Sequence, residues 1–147
     1  VHAYRSVLDG ADPAEVASEL LAISHRPYGT GFYYGDAEQA PDRDGYLKEC
    51  LHAGTVESCE PAGEGLWRVR ATCRNRFCEG DCLEVLSPRR PVGFVSARNL
   101  AWVPRPDEDD PCPAPVPVAV ANRAAESYAF LVEAELRPGD FLRIRMS

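Results

Sequence analysis

Hydrophobic positions change period along this chain. Residues 1–8 read as the last turns of a helix, with Gly10 where a helix commonly stops. A second helix is predicted from Asp12. Its carboxylate suits an N-cap, Pro13 suits the first helical position, and Glu15 completes a capping-box-like spacing. Val16, Leu20, Leu21 and Ile23 give that helix an apolar face, and Pro27 ends it by biasing Arg26 away from helical angles. Arg26 to Gly35 is then a Gly/aromatic loop, and 36–44 a polar, solvated linker.

From Cys50 onward the period is two. In 66–72, Trp67, Val69 and Ala71 share one face while Arg68, Arg70 and Thr72 share the other. Leu142, Ile144 and Met146 alternate with Arg143 and Arg145 in the same way. Shorter strands are predicted at 54–59, 82–86, 92–95 and 116–120, separated by turn residues such as Pro61-Ala62-Gly63 and Pro138-Gly139-Asp140. Residues 121–136 fit a helix by composition, or a strand with Tyr128, Phe130 and Val132 on one face. The proline-rich stretch 107–117 is expected as an exposed connection.

This pattern predicts a mainly β fold: a small antiparallel β-barrel preceded by a short α-helical segment and the Gly/aromatic loop. Residues 1–47 are assigned to the helical segment and loop, and 48–147 to the barrel domain. The chain starts mid-pattern and uncapped, so further chain is expected upstream.

Composition narrows the chemistry. No apolar run approaches the roughly 20 residues of a membrane helix, and the net charge of −7 argues against a globally basic nucleic-acid binder. The charge is uneven, however. Residues 66–105 carry eight arginines against Glu79, Asp81 and Glu84, a local +5. Such a patch steers anions locally. Arg68, Arg70, Arg74 and Arg76 are the candidate phosphate contacts, with Trp67 or Tyr28 as a base-stacking partner.

Cys73, Cys78 and Cys82 are separated by four and three residues, with no second cysteine pair nearby to complete a tetrahedral zinc set, so no metal site is expected. With no secretion signal, a cytoplasmic location and free thiols are expected. No P-loop, dinucleotide fingerprint or nucleophile elbow occurs, so no catalytic residue is assigned and no cofactor is expected in this chain.

Ser24-His25-Arg26-Pro27-Tyr28-Gly29-Thr30-Gly31-Phe32-Tyr33-Tyr34-Gly35 closely resembles a segment that follows the main domain of peptidase family U32 (collagenase-like) proteins. Arg74-Asn75-Arg76-Phe77, Gly80-Asp81, Leu83-Glu84 and Pro88 resemble that family's C-terminal β-barrel. Pro138-Gly139-Asp140-Phe141-Leu142-Arg143 resembles its closing strand, which orders 121–133 as a loop and then a strand. The resemblance implies an upstream catalytic domain in the same protein, whose cysteine motif is absent here. It also implies that His25, Arg26, Tyr28, Gly31 and Phe32 meet substrate or that domain. The family is classed as peptidases, while relatives hydroxylate transfer or ribosomal RNA. The expected role is substrate positioning or recognition by an accessory domain, on a polypeptide or RNA substrate. An RNA-binding module and a purely structural, stabilising domain are the alternatives.

Overall fold

The computed structural model describes residues 2–22, 33, 49–88, 90–108 and 110–146. Two compact units divide the chain, one of residues 1–50 with 146–147 and the other of 51–145.

In the first unit α1 spans His2–Leu8 and α2 spans Pro13–Leu21. Asp12 caps α2 as its sequence predicts: it is extended at φ −65° and ψ 126°, and its carboxylate accepts from the Ala14 amide at 2.9 Å. Gly10 takes φ +103° between the helices, a conformation that suits glycine. The predicted apolar face is only half-covered, because no residue of α2 is fully buried.

The second unit is antiparallel β-structure. Its strands are β1 Cys50–Gly63, β2 Leu66–Cys73, β3 Phe77–Cys78, β4 Cys82–Leu86, β5 Gly93–Ser96, β6 Arg98–Val103, β7 Val116–Pro117, β8 Val120–Ala121, β9 Ser127–Val132 and β10 Phe141–Arg145. Eight of them form one sheet in the order β5-β4-β10-β1-β2-β9-β6-β7, and β3 pairs with β8 separately. Three expectations need correction. The stretch 116–120 is not one strand: Val116–Pro117 pairs with β6, and Val120–Ala121 pairs with β3. β6 was not expected at all. The sheet is also not closed into a barrel, since among the described residues no ladder joins β5 to β7. Instead the chain runs from one end of the order toward the other through Ala97. Its first half pairs with β4 and its second half with β9.

The core follows from the alternation. Val69, Ala71 and Cys73 of β2 face Tyr128, Phe130 and Val132 of β9, with Leu83, Leu100 and Leu142 completing the cluster. Phe77 meets Tyr128 and Phe130 edge-on, with centroids 6.4 and 5.8 Å away, a favoured aromatic geometry. The buried Tyr128 hydroxyl is satisfied by accepting from the Arg123 amide at 3.2 Å. Gly54 lets β1 and β2 approach closely. A Cβ there would lie 2.6 Å from the Thr72 carbonyl oxygen.

Candidate functional site

Strand pairing decides which side chains share the outer face of the sheet. Register sets Glu60, Arg68, Leu131 and Arg98 in one row across β1, β2, β9 and β6. Ser58, Arg70, Ala129 and Ala101 form the next row. Strands lie about 4.8 Å apart, so the Arg68 and Arg98 backbones stand roughly 10 Å apart with Leu131 between them. Both arginines are exposed, and among the described residues neither is ion-paired.

Arg70 is held differently. The β1 ladder is irregular between Val56 and Ser58, and Glu57 is the extra residue there. Such bulges re-aim a side chain. The Glu57 carboxylate accepts from Arg70 at 3.0 Å, from Ser127 at 2.9 Å and from Thr72 at 2.5 Å. Arg70 is thereby neutralised and fixed beside the Arg68–Leu131–Arg98 row. Arg74 and Arg76 are exposed in the connection from β2 to β3. There Asn75 donates from Nδ2 to the His52 carbonyl at 2.8 Å and ties the loop to β1.

Trp67 does not join this face. It packs partly buried against the core on the side of Val69, opposite to Arg68, so it cannot stack a base bound by the arginines. His25, Arg26, Tyr28, Gly31 and Phe32 lie outside the described residues. Arg98, which the sequence reading passed over, reaches the face through a strand that was itself not predicted.

His52, Cys73 and Cys59 have structural occupations. His52 Nε2 lies 2.9 Å from the Gly54 carbonyl and 3.2 Å from Thr55 Oγ1, with its ring against Phe141 at 5.0 Å. Cys73 Sγ donates to the Asn75 carbonyl at 3.4 Å, and Cys59 Sγ accepts from the Leu136 amide at 3.4 Å. Burial pushes both thiols up from the ordinary value, which disfavours the reactive thiolate. Among the described residues no group of three or more His, Cys, Asp and Glu side chains is arranged to hold a metal.

No protein-family profile and no curated protein matches the sequence. Solved structures do. One is the C-terminal domain of a Geobacillus thermoleovorans protein described as a U32 peptidase, 20% identical at a TM-score of 0.47, covering 65% of this chain and 92% of that one. The selenomethionine variant of that domain is 24% identical at a TM-score of 0.45, covering 63% and 98%. The likeness is to a U32 domain. It assigns no role to any residue.

Proposed function

We propose that residues 51–145 are an accessory recognition module, which presents an anionic substrate to a catalytic domain elsewhere in the same protein. RNA is the substrate class we favour. The observation that carries this is the row Arg68–Leu131–Arg98, two exposed guanidinium groups flanking an apolar side chain on a rigid sheet. Arg70 is pinned beside it by Glu57. Guanidinium groups suit phosphates by geometry and weak hydration, and a rigid sheet spares the cost of ordering a loop on binding. Arg74 and Arg76 extend the positive charge beyond the end of β2.

A reducing, cytoplasmic compartment fits the six free thiols. No helix among the described residues is long and apolar enough to cross a membrane.

The test is binding of a labelled single-stranded RNA to the full chain at several salt concentrations. Each phosphate contact on a single strand contributes a slope of about −0.7 in log affinity against log salt. Replacing Arg68 and Arg98 by alanine should flatten that slope by about 1.4. An unchanged slope in the double variant, or binding indifferent to salt, would remove the reading.

A further inference from the structure

A second surface lies at the seam of the sheet, where β5 and residues 133–136 part. Just beyond it β6 and β9 are paired, with Arg98 opposite Leu131. Going the other way along both segments, the ladder is not continued. Ser96 donates its amide not to a backbone carbonyl but to the Glu133 carboxylate, at 3.3 and 3.4 Å. A side chain occupies the place of a strand. Past it a cavity of 170 Å³ opens between Val85, Phe94 and Val95 on one bank and Ala134, Glu135 and Leu136 on the other.

The backbone lining this opening has hydrogen-bonding capacity in reserve. β5 pairs with β4 on one side only, with Leu83 opposite Val95 and Val85 opposite Gly93. The Ala97 amide reaches the Asp81 carbonyl on that same side at 3.1 Å. Backbone groups alternate along an antiparallel strand. The N–H and C=O of Phe94 therefore point with the Ser96 amide, away from β4 and toward the opening. Phe94 also leaves its ring 62% exposed at the margin. An open strand edge is a template for another extended chain.

Charge fixes the direction of that chain. Glu133 stands at the Ser96 end, and exposed Arg90 borders the cavity at the Gly93 end. A segment antiparallel to β5 would bring its N-terminal end to Glu133 and its C-terminal end to Arg90. We propose that this seam is a docking site for an extended segment of a separate polypeptide. That segment adds antiparallel to β5, basic at its N-terminal end and acidic at its C-terminal end, and displaces Glu133 from the Ser96 amide.

The probe is the capped peptide acetyl-Lys-Val-Thr-Val-Thr-Glu-amide, titrated into the isotopically labelled full chain. Fluorescence anisotropy gives the affinity and backbone amide shifts give the location. Expected shifts centre on Phe94, Ser96 and residues 133–136. Methylating alternate peptide nitrogens should weaken binding about tenfold or more in one phase, equivalent to a lost hydrogen bond or more, and little in the other. The charge-reversed peptide acetyl-Glu-Val-Thr-Val-Thr-Lys-amide should bind several-fold more weakly, and Arg90→Glu should largely abolish that preference. Phe94→Pro removes the inferred donor at a position where an edge strand tolerates proline. It should abolish binding, whereas Phe94→Ala, which keeps the donor, should retain it. Alanine at Arg68 and Arg98 should leave peptide binding unchanged, so this site and the arginine face fail or stand separately. No binding by about 1 mM peptide, equal binding of both methylated phases, shifts on the arginine face, or self-association of the chain through β5 would each overturn the proposal.

Discussion

Replacing Arg143 by methionine should destabilise the β unit substantially, and removing Glu84 in addition should recover much of the loss. The two residues face each other across β4 and β10 and retain only 5% and 7% of their exposure. Arg143 Nε lies 2.5 Å from one Glu84 oxygen, while Arg145 Nε, on a half-exposed side chain, lies 3.1 Å from the other. Breaking a buried pair by removing one partner costs about 3–5 kcal/mol, because the remaining charge stays desolvated. Arg145 still faces Glu84, but a pair half in water contributes only about 0.2–1 kcal/mol. Arg143→Met should therefore cost about 2–4 kcal/mol. At about 2–4 °C per kcal/mol for a chain of this size, the melting temperature should fall by about 4–16 °C. Both arginines make further interactions, so the single variant alone does not isolate the pair. A double-mutant cycle with Glu84→Leu does. Urea unfolding followed by tryptophan fluorescence is the assay, since Trp67 and Trp102 both lie in the β unit. A coupling energy below about 0.5 kcal/mol would refute the account of Glu84 as a buried charge that depends on Arg143.

Two further outcomes follow from packing and burial. Gly54→Ala should cost about 1–3 kcal/mol or more in the same assay, because the new methyl group meets the Thr72 carbonyl at 2.6 Å and must push two strands apart; a neutral effect would show that the β1–β2 approach is looser than described. Burial holds the Cys59 and Cys73 thiols above the ordinary 9.0; buried Cys73 should stay unlabelled by a thiol reagent until the unit unfolds and half-buried Cys59 should react slowly, while exposed Cys82 and Cys112 react first. The same shift has a pH consequence. Above about pH 9 the unfolded chain releases thiol protons that the folded one retains, so stability should fall as pH rises from there, until the folded thiols also ionise. Cys73→Ala should reduce that slope, and an unchanged slope would place the titration elsewhere.

Legibility in the sequence depended on whether a feature was local. The Asp12 cap and the alternation of β2 are written in neighbouring residues, because one face of the strand is dry and the other wet. β9 was different: composition favoured a helix, the alternation of Tyr128, Phe130 and Val132 favoured a strand, and the order of motifs in the U32 resemblance decided for the strand. β6 left no alternation to read. Asn99 takes a left-handed φ of +52°, and the register slips between Arg98 and Ala101, so the period of two is lost where the strand begins. Arg98 consequently remained one arginine among eight, with nothing to say that β9 would deliver it beside Leu131. Glu57 was equally hidden, because a bulge aims it and spacing does not encode bulges.

The expectation of base stacking by Trp67 fails for a reason that was already legible. The alternation that turns Arg68 and Arg70 toward solvent turns Trp67 inward with Val69 and Ala71. Adjacent residues of a strand point to opposite faces, so a cation and an aromatic ring in neighbouring positions cannot grip one ligand on one surface. A partner for the arginines has to come from a neighbouring strand at matching register. Leu131 stands there, and Arg98 lies beyond it. The arginine face therefore offers charge and a single apolar contact, with no aromatic platform on this row. Such a surface would grip a phosphate backbone with little preference among bases.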